Sequence, residues 1–506
     1  MEILPKAGLA HNRSSARREL LQIKGQLYSL RFGETDIECL IKLIDVCSKA
    51  GINTIFIELE KALKYEGFPK ISAPWAISKQ TIRQVLDHIK KRKMKAIPVV
   101  PSFSHCNYIL KHYPEFSETG STDIYCPSNK HVYNLIFSIF DEIIELFESD
   151  YFHIGHDEAI SSYNFYNRKS IFNCPVCQNK KAHELFARDI ISLYTYLKAK
   201  NIKTMMWADM LLDPSEFKGK CFDSFGCYGG KPDNLHKALE LLPKDLILCD
   251  WHYEAALEYP TVQYLQGKGF NVIGASKFPV NTCLFAGYAN ANKSDNFLGM
   301  MSTSWYHINK HNFPYLAKWA KYSGQTFNEH KEPRALSKTL KNIKSNLSEA
   351  SKDIEEGKFH RKFDFAFDQA GVYGSKGWTD FYYKEYPKAK EEKIICPSKI
   401  NALELKSGRQ GTIEYEFRTR KDCCFEDIHI KVWLKNLGSN SIEITTTEKS
   451  KYFVIAKNKY FSESLVDLTE YLKGKRHFYI RFTAHNTIDS RQAVFKRFDL
   501  FGTTVK

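Results

Sequence analysis

Residues 130–159, KHVYNLIFSIFDEIIELFESDYFHIGHDEA, decide how the chain is read. The stretch up to Phe147 places apolar residues at helical spacing, and the run from Asp150 is a short, mostly apolar strand. A helix feeding straight into a buried strand is the repeating step of a parallel α/β sheet. The strand ends in His153-Ile154-Gly155-His156-Asp157-Glu158, so imidazole and carboxylate gather where it stops.

Outward from this stretch the same alternation continues in both directions. Strand signals cover 22–31, 53–60, 95–103, 203–210, 245–254, 271–278 and 298–307, making eight with 150–159. Helical patterns fall at 36–51, 78–93, 183–201, 232–242 and 260–269, and 312–324 closes the series. Eight such units predict a (β/α)8 TIM barrel. The rival doubly wound sheet lacks its GxGxxG after the first strand. Further on, 333–357 is amphipathic and charged, with 358–370 as its hairpin partner, and 384–393 is a polar linker. From 394 the grammar changes to short strands with close turns, which predicts an antiparallel β-sandwich. The expected organisation is an α/β protein with a basic N-terminal arm (1–20), a catalytic barrel (21–326), a charged helical connector (327–390) and a β-sandwich (391–506).

With 43% hydrophobic and 26% charged residues, the composition excludes a wholly disordered or collagenous chain. Lys and Arg number 73 against 58 Asp and Glu, a net charge of +15, which raises nucleic acid as a partner. The excess is scattered. Its densest run, KKRKMK at 90–95, sits at a helix C-terminus where cations suit the dipole, and no zinc-finger, basic-zipper or RNP pattern is present. A solvated surface and no nucleic-acid partner are expected. No apolar run approaches a membrane span, so no membrane partner is expected either. The first twenty residues lack an apolar signal region, and thirteen cysteines lie mostly in apolar segments, which together suggest reduced thiols and a cytoplasmic location. Cys174-Pro-Val-Cys177 has metal-knuckle spacing, but no second CxxC or HxxxH accompanies it. A structural turn is the preferred reading and a partial metal site the alternative. The vicinal Cys423-Cys424 reads as packing. Oligomeric state stays open.

Barrels of this kind carry their chemistry at the C-terminal ends of the strands. Those positions hold Arg31, Glu58, Glu60, His105, His153, His156, Asp157, Glu158, Trp207, Asp209, Trp251, His252, Tyr253, Glu254, Trp305 and His307, with no residue taken from the seventh strand. Carboxylates beside tryptophan walls suit sugars: an apolar sugar face stacks on an indole, polar groups hold the hydroxyls, and a carboxylic acid protonates the glycosidic oxygen. Asp157 and Glu158 are the sharpest pair, because at a strand end both can turn into one pocket, where their repulsion lifts one pKa. A metal-dependent hydrolase is the weaker alternative. His105, His153, His156 and Asp157 are ligand types, but His153 and His156 are three residues apart and face opposite sides of a strand. His153 is expected beneath the site. No metal and no cofactor are expected. A non-catalytic glycan-binding protein is the other alternative, against which the repelling dyad speaks.

FHIGHDEA (152–159) resembles the HxGxDE signature of glycoside hydrolase family 20, the β-N-acetylhexosaminidases. The similarity extends over 22–325 through LIDVCSKAGINTIFIELE (43–60), KYEGFP (64–69), IPVVPSFSH (97–105), the Cys174/Cys177 pair, MMWADM (205–210), DWHYE (250–254) and STSW (302–305). Within the family the chain looks most like the hexosaminidase D branch, whose members are intracellular. The resemblance implies a retaining exo-hydrolase in which the substrate's own acetamido oxygen attacks the anomeric carbon and forms an oxazolinium ion. It implies Glu158 as general acid and then base, and Asp157 as the group orienting the acetamide. Trp207, Trp251 and Trp305 would line the acetamide pocket, Tyr253 would hydrogen-bond the acetamide oxygen, and His105 would contact the sugar or a catalytic carboxylate. Three positions depart from the family pattern. Lys24-Gly25 stands where the family has an Arg-Gly that grips ring hydroxyls, and Lys is a point donor rather than a fork. His307 replaces an acid, and His156 replaces a glycine. Glu60, Asp209, Lys24 and His156 complete the expected substrate contacts. The implied partner is a glycan or glycoconjugate with terminal N-acetylglucosamine or N-acetylgalactosamine, the choice between them and the aglycone being open. The tail resembles galactose-binding-like sandwiches in VDLTEYLKGKRHFYIRF and FKRFDLFG, with structural support the preferred role.

Overall fold

The computed structural model describes residues 21–329 apart from 120, 160–169 and 218–225, and beyond 331 a set of shorter segments. Eight parallel strands close into a barrel in chain order. They are β1 (Ile23–Ser29), β2 (Thr54–Glu58), β3 (Lys95–Ser102), β4 (Tyr151–Gly155), β5 (Lys203–Trp207), β6 (Ile247–Trp251), β7 (Asn271–Ser276) and β8 (Phe297–Ser304). Closure comes from β8 pairing back on β1, with Ile23 opposite Gly299 and Tyr28 opposite Ser304. Leu27, Phe56, Ile97, Met205, Ile247 and Met301 fill the lumen as a packed core. The strand faces turned outward are buried under the helices, which is why these strands read as nearly continuous apolar runs.

The helices begin and end where their chemistry dictates. Asp36 caps Ile37–Lys49 by accepting from Cys39 N–H at 3.0 Å. Ser78 caps Lys79–Lys91 by accepting from Thr81 N–H, and that helix ends on His88, Lys90 and Lys91. The KKRKMK run therefore straddles a helix C-terminus, as the dipole favours. One helix carries no amphipathic signature. Pro279–Ala291 lies between β7 and β8 and buries Val280, Cys283, Phe285, Ala286 and Ala289 on several sides, so no polar stripe marks it in the sequence. The 232–242 pattern is realised as a 3-10 helix, Leu235–Leu241. Among the described residues, no helix is long and apolar enough to cross a membrane.

The expected connector is helical only in its first part. After the helix Phe313–Glu329 come the 3-10 helix Arg334–Leu336 and helical residues at 337, 340–341 and 343–344, whereas the expected hairpin partner at 358–370 contains a strand, β9 (Lys358–Asp364), and a second strand follows, β10 (Tyr382–Pro387). Phe359 and Phe363 in β9 are four residues apart, a spacing that helix and strand both allow, so the pattern does not separate the two. The remaining strands are β11 (Leu403–Leu405), β12 (Gln410–Arg418), β13 (Cys424–Lys435), β14 (Ser439–Thr445), β15 (Phe453–Asn458), β16 (Ser464–Asp467), β17 (His477–His485) and β18 (Ala493–Val505). They form one antiparallel sheet in the order β10-β12-β17-β14-β15 and another in the order β11-β18-β13-β16, with β9 paired to β18. Phe425 of β13 meets Phe478 of β17 edge to face at 5.3 Å. The N-terminal arm, most of the 333–357 segment, the 384–393 linker beyond Pro387, and Cys423 lie outside the described residues.

If the lumen is the packed core of the barrel, Phe56→Ala lowers its stability by about 3–5 kcal/mol, because Phe56 is fully buried inside it. The urea midpoint of the barrel transition measures this. A loss under about 1 kcal/mol would show that the interior does not pack as described.

Candidate active site

The exit of β4 is where the backbone departs furthest from strand geometry. Gly155, His156 and Glu158 have φ of 76°, 71° and 45°. This left-handed stretch lets two adjacent carboxylates, Asp157 and Glu158, face the same side. A Cβ on Gly155 would stand 2.9 Å from Pro101 Cα, so only glycine fits that turn. Side chains clamp the rest. Ser104 Oγ donates to Asp157 O at 2.5 Å, and Glu158 N–H donates to Asp209 Oδ2 at 2.8 Å. The neighbouring exit of β3 is similarly tight, with Phe103 at φ 64° and His105 at φ 54°.

His105 joins the two acids. Its Nε2 lies 3.4 Å from Asp157 Oδ2 and 3.6 Å from Glu158 Oε2, while its backbone N–H donates to Asp123 Oδ2 at 3.2 Å. Burial works against an imidazolium here, but the charge and hydrogen bond of Asp157 and then Glu158 outweigh it, raising the His105 pKa to about 12. Burial likewise opposes the Asp157 carboxylate, and His105 reverses that and holds its pKa below the ordinary value. Asp157 is thereby kept ionised next to Glu158. Asp209 behaves oppositely: burial, and then the charge of Asp157, push its carboxyl well above the usual range. His153 is buried beneath the dyad, accepts from Gly155 N–H at 3.1 Å, and is driven by burial to a pKa of about 3, so it is a neutral support.

Aromatic rings wall the space beside the dyad. Trp207 and Trp305 stand edge to face at 6.3 Å, and Trp251 lies 4.9 Å from Tyr253. Trp305 Nε1 donates to Tyr253 Oη at 2.9 Å, which locks the two rings together. Against this wall Arg31, just after β1, stands 5.5 Å over the Trp305 ring and reaches Glu58 and Glu60, each at 3.5 Å. Ser29 Oγ donates to Glu58 and fixes it.

Three expected contacts are placed elsewhere. Lys24 is the second residue of β1, at the N-terminal end of the barrel, and its Nζ binds Asn328 Oδ1 at 2.5 Å. It is remote from the rim because strand direction, not similarity of the Lys-Gly pair, decides which end a residue occupies. His156 is fully buried and turned away from the pocket: Nε2 pairs with Asp189 Oδ2 at 2.9 Å and Nδ1 lies 3.2 Å from Ser102 Oγ. Asp189 also accepts from Tyr125 and Tyr133 at 3.0 and 2.6 Å, so this histidine anchors the β4 exit to the helix Ala182–Ala199. Asp209, only 1% exposed, braces the Glu158 backbone. Two rim residues have no role in the sequence reading. Arg31 is placed there at the rim end of the first strand, but the hydroxyl-gripping role goes to Lys24. Lys277 follows β7, the strand given no rim residue, and its Nζ sits 5.6 Å from the Tyr253 ring and 5.7 Å from that of Tyr306.

A closed parallel barrel with its ionisable groups crowded on the C-terminal rim belongs to the barrel enzymes. The glycosyl hydrolase family 20 catalytic-domain model matches residues 60–323, just over half of the chain, and the chain belongs to that family of glycoside hydrolases. Hexosaminidase D of Homo sapiens is 31% identical over 116 residues, covering 22% of this chain and 24% of the human protein. Hexosaminidase D of Bos taurus is 28% identical over 184 residues, 33% of this chain and 49% of the bovine one. The chain thus spans less than half the length of these curated relatives. Among solved structures, a Flavobacterium johnsoniae chitobiase has 17% identity and a TM-score of 0.47, covering 70% of this chain and 53% of its own. A Vibrio harveyi exo-β-N-acetylglucosaminidase has 15% identity and a TM-score of 0.46, covering 66% and 58%.

Burial and the charge of Glu58, offset by Arg31, raise Glu60 from 4.5 to about 7. The folded protein then holds a proton that the unfolded chain releases, so stability falls as pH rises from about 4.5 to about 7 and is level above. Glu60→Gln removes that fall. Melting temperatures at about pH 5 and about pH 8 should differ less in the variant than in the wild type. Parallel curves would contradict the raised pKa.

Proposed function

We propose that this chain is a retaining exo-β-N-acetylhexosaminidase that uses its substrate's acetamido group as the nucleophile. The observation that carries the reading is the single His105 imidazole shared by Asp157 at 3.4 Å and Glu158 at 3.6 Å, beside walls of tryptophan. Two adjacent acids with one of them held ionised suit two different tasks.

In this reading the terminal sugar sits on the aromatic walls with its acetamide among Trp207, Trp251 and Trp305. Asp157, kept charged, accepts from the acetamide N–H and stabilises the positive charge that develops there. Tyr253, which already accepts a hydrogen bond from the Trp305 indole N–H, donates a hydrogen bond from its hydroxyl to the acetamide oxygen. That oxygen attacks the anomeric carbon as the glycosidic bond breaks, and protonated Glu158 gives its proton to the departing oxygen. The product is a cyclic oxazolinium ion and a free aglycone alcohol. Glu158, now a carboxylate, takes a proton from water as the water oxygen bonds to the anomeric carbon and the ring reopens. Two inversions return the β configuration. Arg31, with Glu58 and Glu60 fixing its fork, is the group for the outer ring hydroxyls, the task that the resemblance alone would give to Lys24. Glycoconjugates ending in N-acetylglucosamine or N-acetylgalactosamine are the substrate class.

Glu158→Gln should lower kcat on an aryl N-acetyl-β-hexosaminide by about 100-fold or more while the far-ultraviolet spectrum stays native. Asp157→Asn should weaken a thiazoline analogue of the bicyclic intermediate by about tenfold or more, since it removes a charged acceptor. An unchanged kcat in the first variant or unchanged affinity in the second contradicts the corresponding role.

A further inference from the structure

The loops that carry the proposed catalytic groups converge a second time, on sulfur. Cys126 follows β3 in the loop that holds His105 and Asp123, whereas Cys174 and Cys177 lie in the segment after β4. Cys126 Sγ stands 3.4 Å from Cys174 Sγ and 3.6 Å from Cys177 Sγ. Glu118 completes the group: ligand atoms of these four residues all lie within 4.8 Å of one another, and all four residues are buried. We propose that Glu118, Cys126, Cys174 and Cys177 form a structural zinc site that staples the β3 loop to the β4 loop.

Each feature of the cluster fits that ion. Zn–S bonds of about 2.3 Å in a tetrahedron place sulfurs about 3.8 Å apart, close to the separations here. A disulfide needs about 2.05 Å and would leave the third thiol over. Glu118 is fully buried and accepts from Cys174 N–H through Oε1, while Oε2 has no hydrogen-bond partner. A buried carboxylate oxygen without a partner is expensive, and a divalent cation supplies one. Three thiolates and one carboxylate select a soft to borderline tetrahedral ion over calcium or magnesium, and they are one thiolate short of an iron–sulfur set. The Cys174–Cys177 turn has the form of a metal knuckle, with N–H groups of Cys177 and Gln178 both donating to Cys174 O at 3.0 Å. Positive charge surrounds the loop. Arg188 and Lys180 reach Ser128 Oγ at 3.0 and 3.4 Å, and the Cys177 thiol lies 3.1 Å from that same oxygen. They offset the net negative charge of zinc with four anionic ligands.

Four protein ligands leave no open position, so the ion is a staple and not a reagent. On binding, each thiol gives its proton to solvent, and affinity falls as pH drops. The site is independent of the reading of the sugar pocket.

Metal analysis of the full chain, purified reduced and without chelator, should find on the order of one zinc per chain. Cobalt(II) in its place should give the intense visible bands of a tetrahedral site and a thiolate charge-transfer band in the near ultraviolet. Cys126→Ser should hold less than about a tenth of the wild-type zinc, and Glu118→Gln should bind about tenfold more weakly in competition with a chromogenic chelator. Chelation should lower the melting temperature of the wild type by about 5 °C or more and leave that of Cys126→Ser unmoved. If Cys126→Ser does not fold, the zinc content and cobalt spectrum of the wild type decide. A wild-type chain that neither retains zinc nor takes up added Zn2+ with its thiols reduced overturns the proposal, as does a native disulfide among the three cysteines.

Discussion

The active rim depends on how the backbone leaves β4. Asp157 and Glu158 are adjacent, and in a continuing strand they would point to opposite faces. Left-handed geometry at Gly155, His156 and Glu158 brings them to one side. Such conformations cost on the order of 1–3 kcal/mol each outside glycine, and they persist only where the surroundings impose them. Here Ser104 holds the carbonyl of Asp157, Asp209 holds the amide of Glu158, and the His156–Asp189 pair fixes the turn from below. The histidine that stands where the family has a glycine is therefore part of the scaffold.

Once the dyad is placed, electrostatics differentiates it. His105 is drawn into the charged form by the two acids, and it keeps Asp157 ionised in return. Beside them Arg31 is matched by Glu58 and Glu60, and its charge also favours the Asp157 carboxylate. The charged groups thus follow one another along the exits of β1 to β4, and the rings of Trp207, Trp251 and Trp305 come from β5, β6 and the end of β8. The scattered +15 of the whole chain plays no part in the rim.

Eight strands were legible in the sequence because buried parallel strands are short apolar runs and most intervening helices have a polar stripe. Pro279–Ala291 lacks that stripe and escaped notice. The dyad, His105, the three tryptophans and Tyr253 were legible because each lies within a few residues of a strand end. Lys24 was misassigned by matching a residue pair without regard to which end of β1 it occupies. His156 was misassigned because sequence does not tell which side of a left-handed turn a side chain takes. Cys126 lies 48 residues before Cys174, so its meeting with the knuckle is a property of loop packing alone.

The central claim is that the substrate supplies its own nucleophile through the acetamido group. The direct measurement compares kcat/KM for a p-nitrophenyl N-acetyl-β-glucosaminide and galactosaminide with that for the p-nitrophenyl β-glucoside. The account predicts turnover of at least one N-acetylated substrate and a loss of about 1,000-fold or more for the glucoside, which has no oxygen placed to attack. Comparable rates on the glucoside would contradict it.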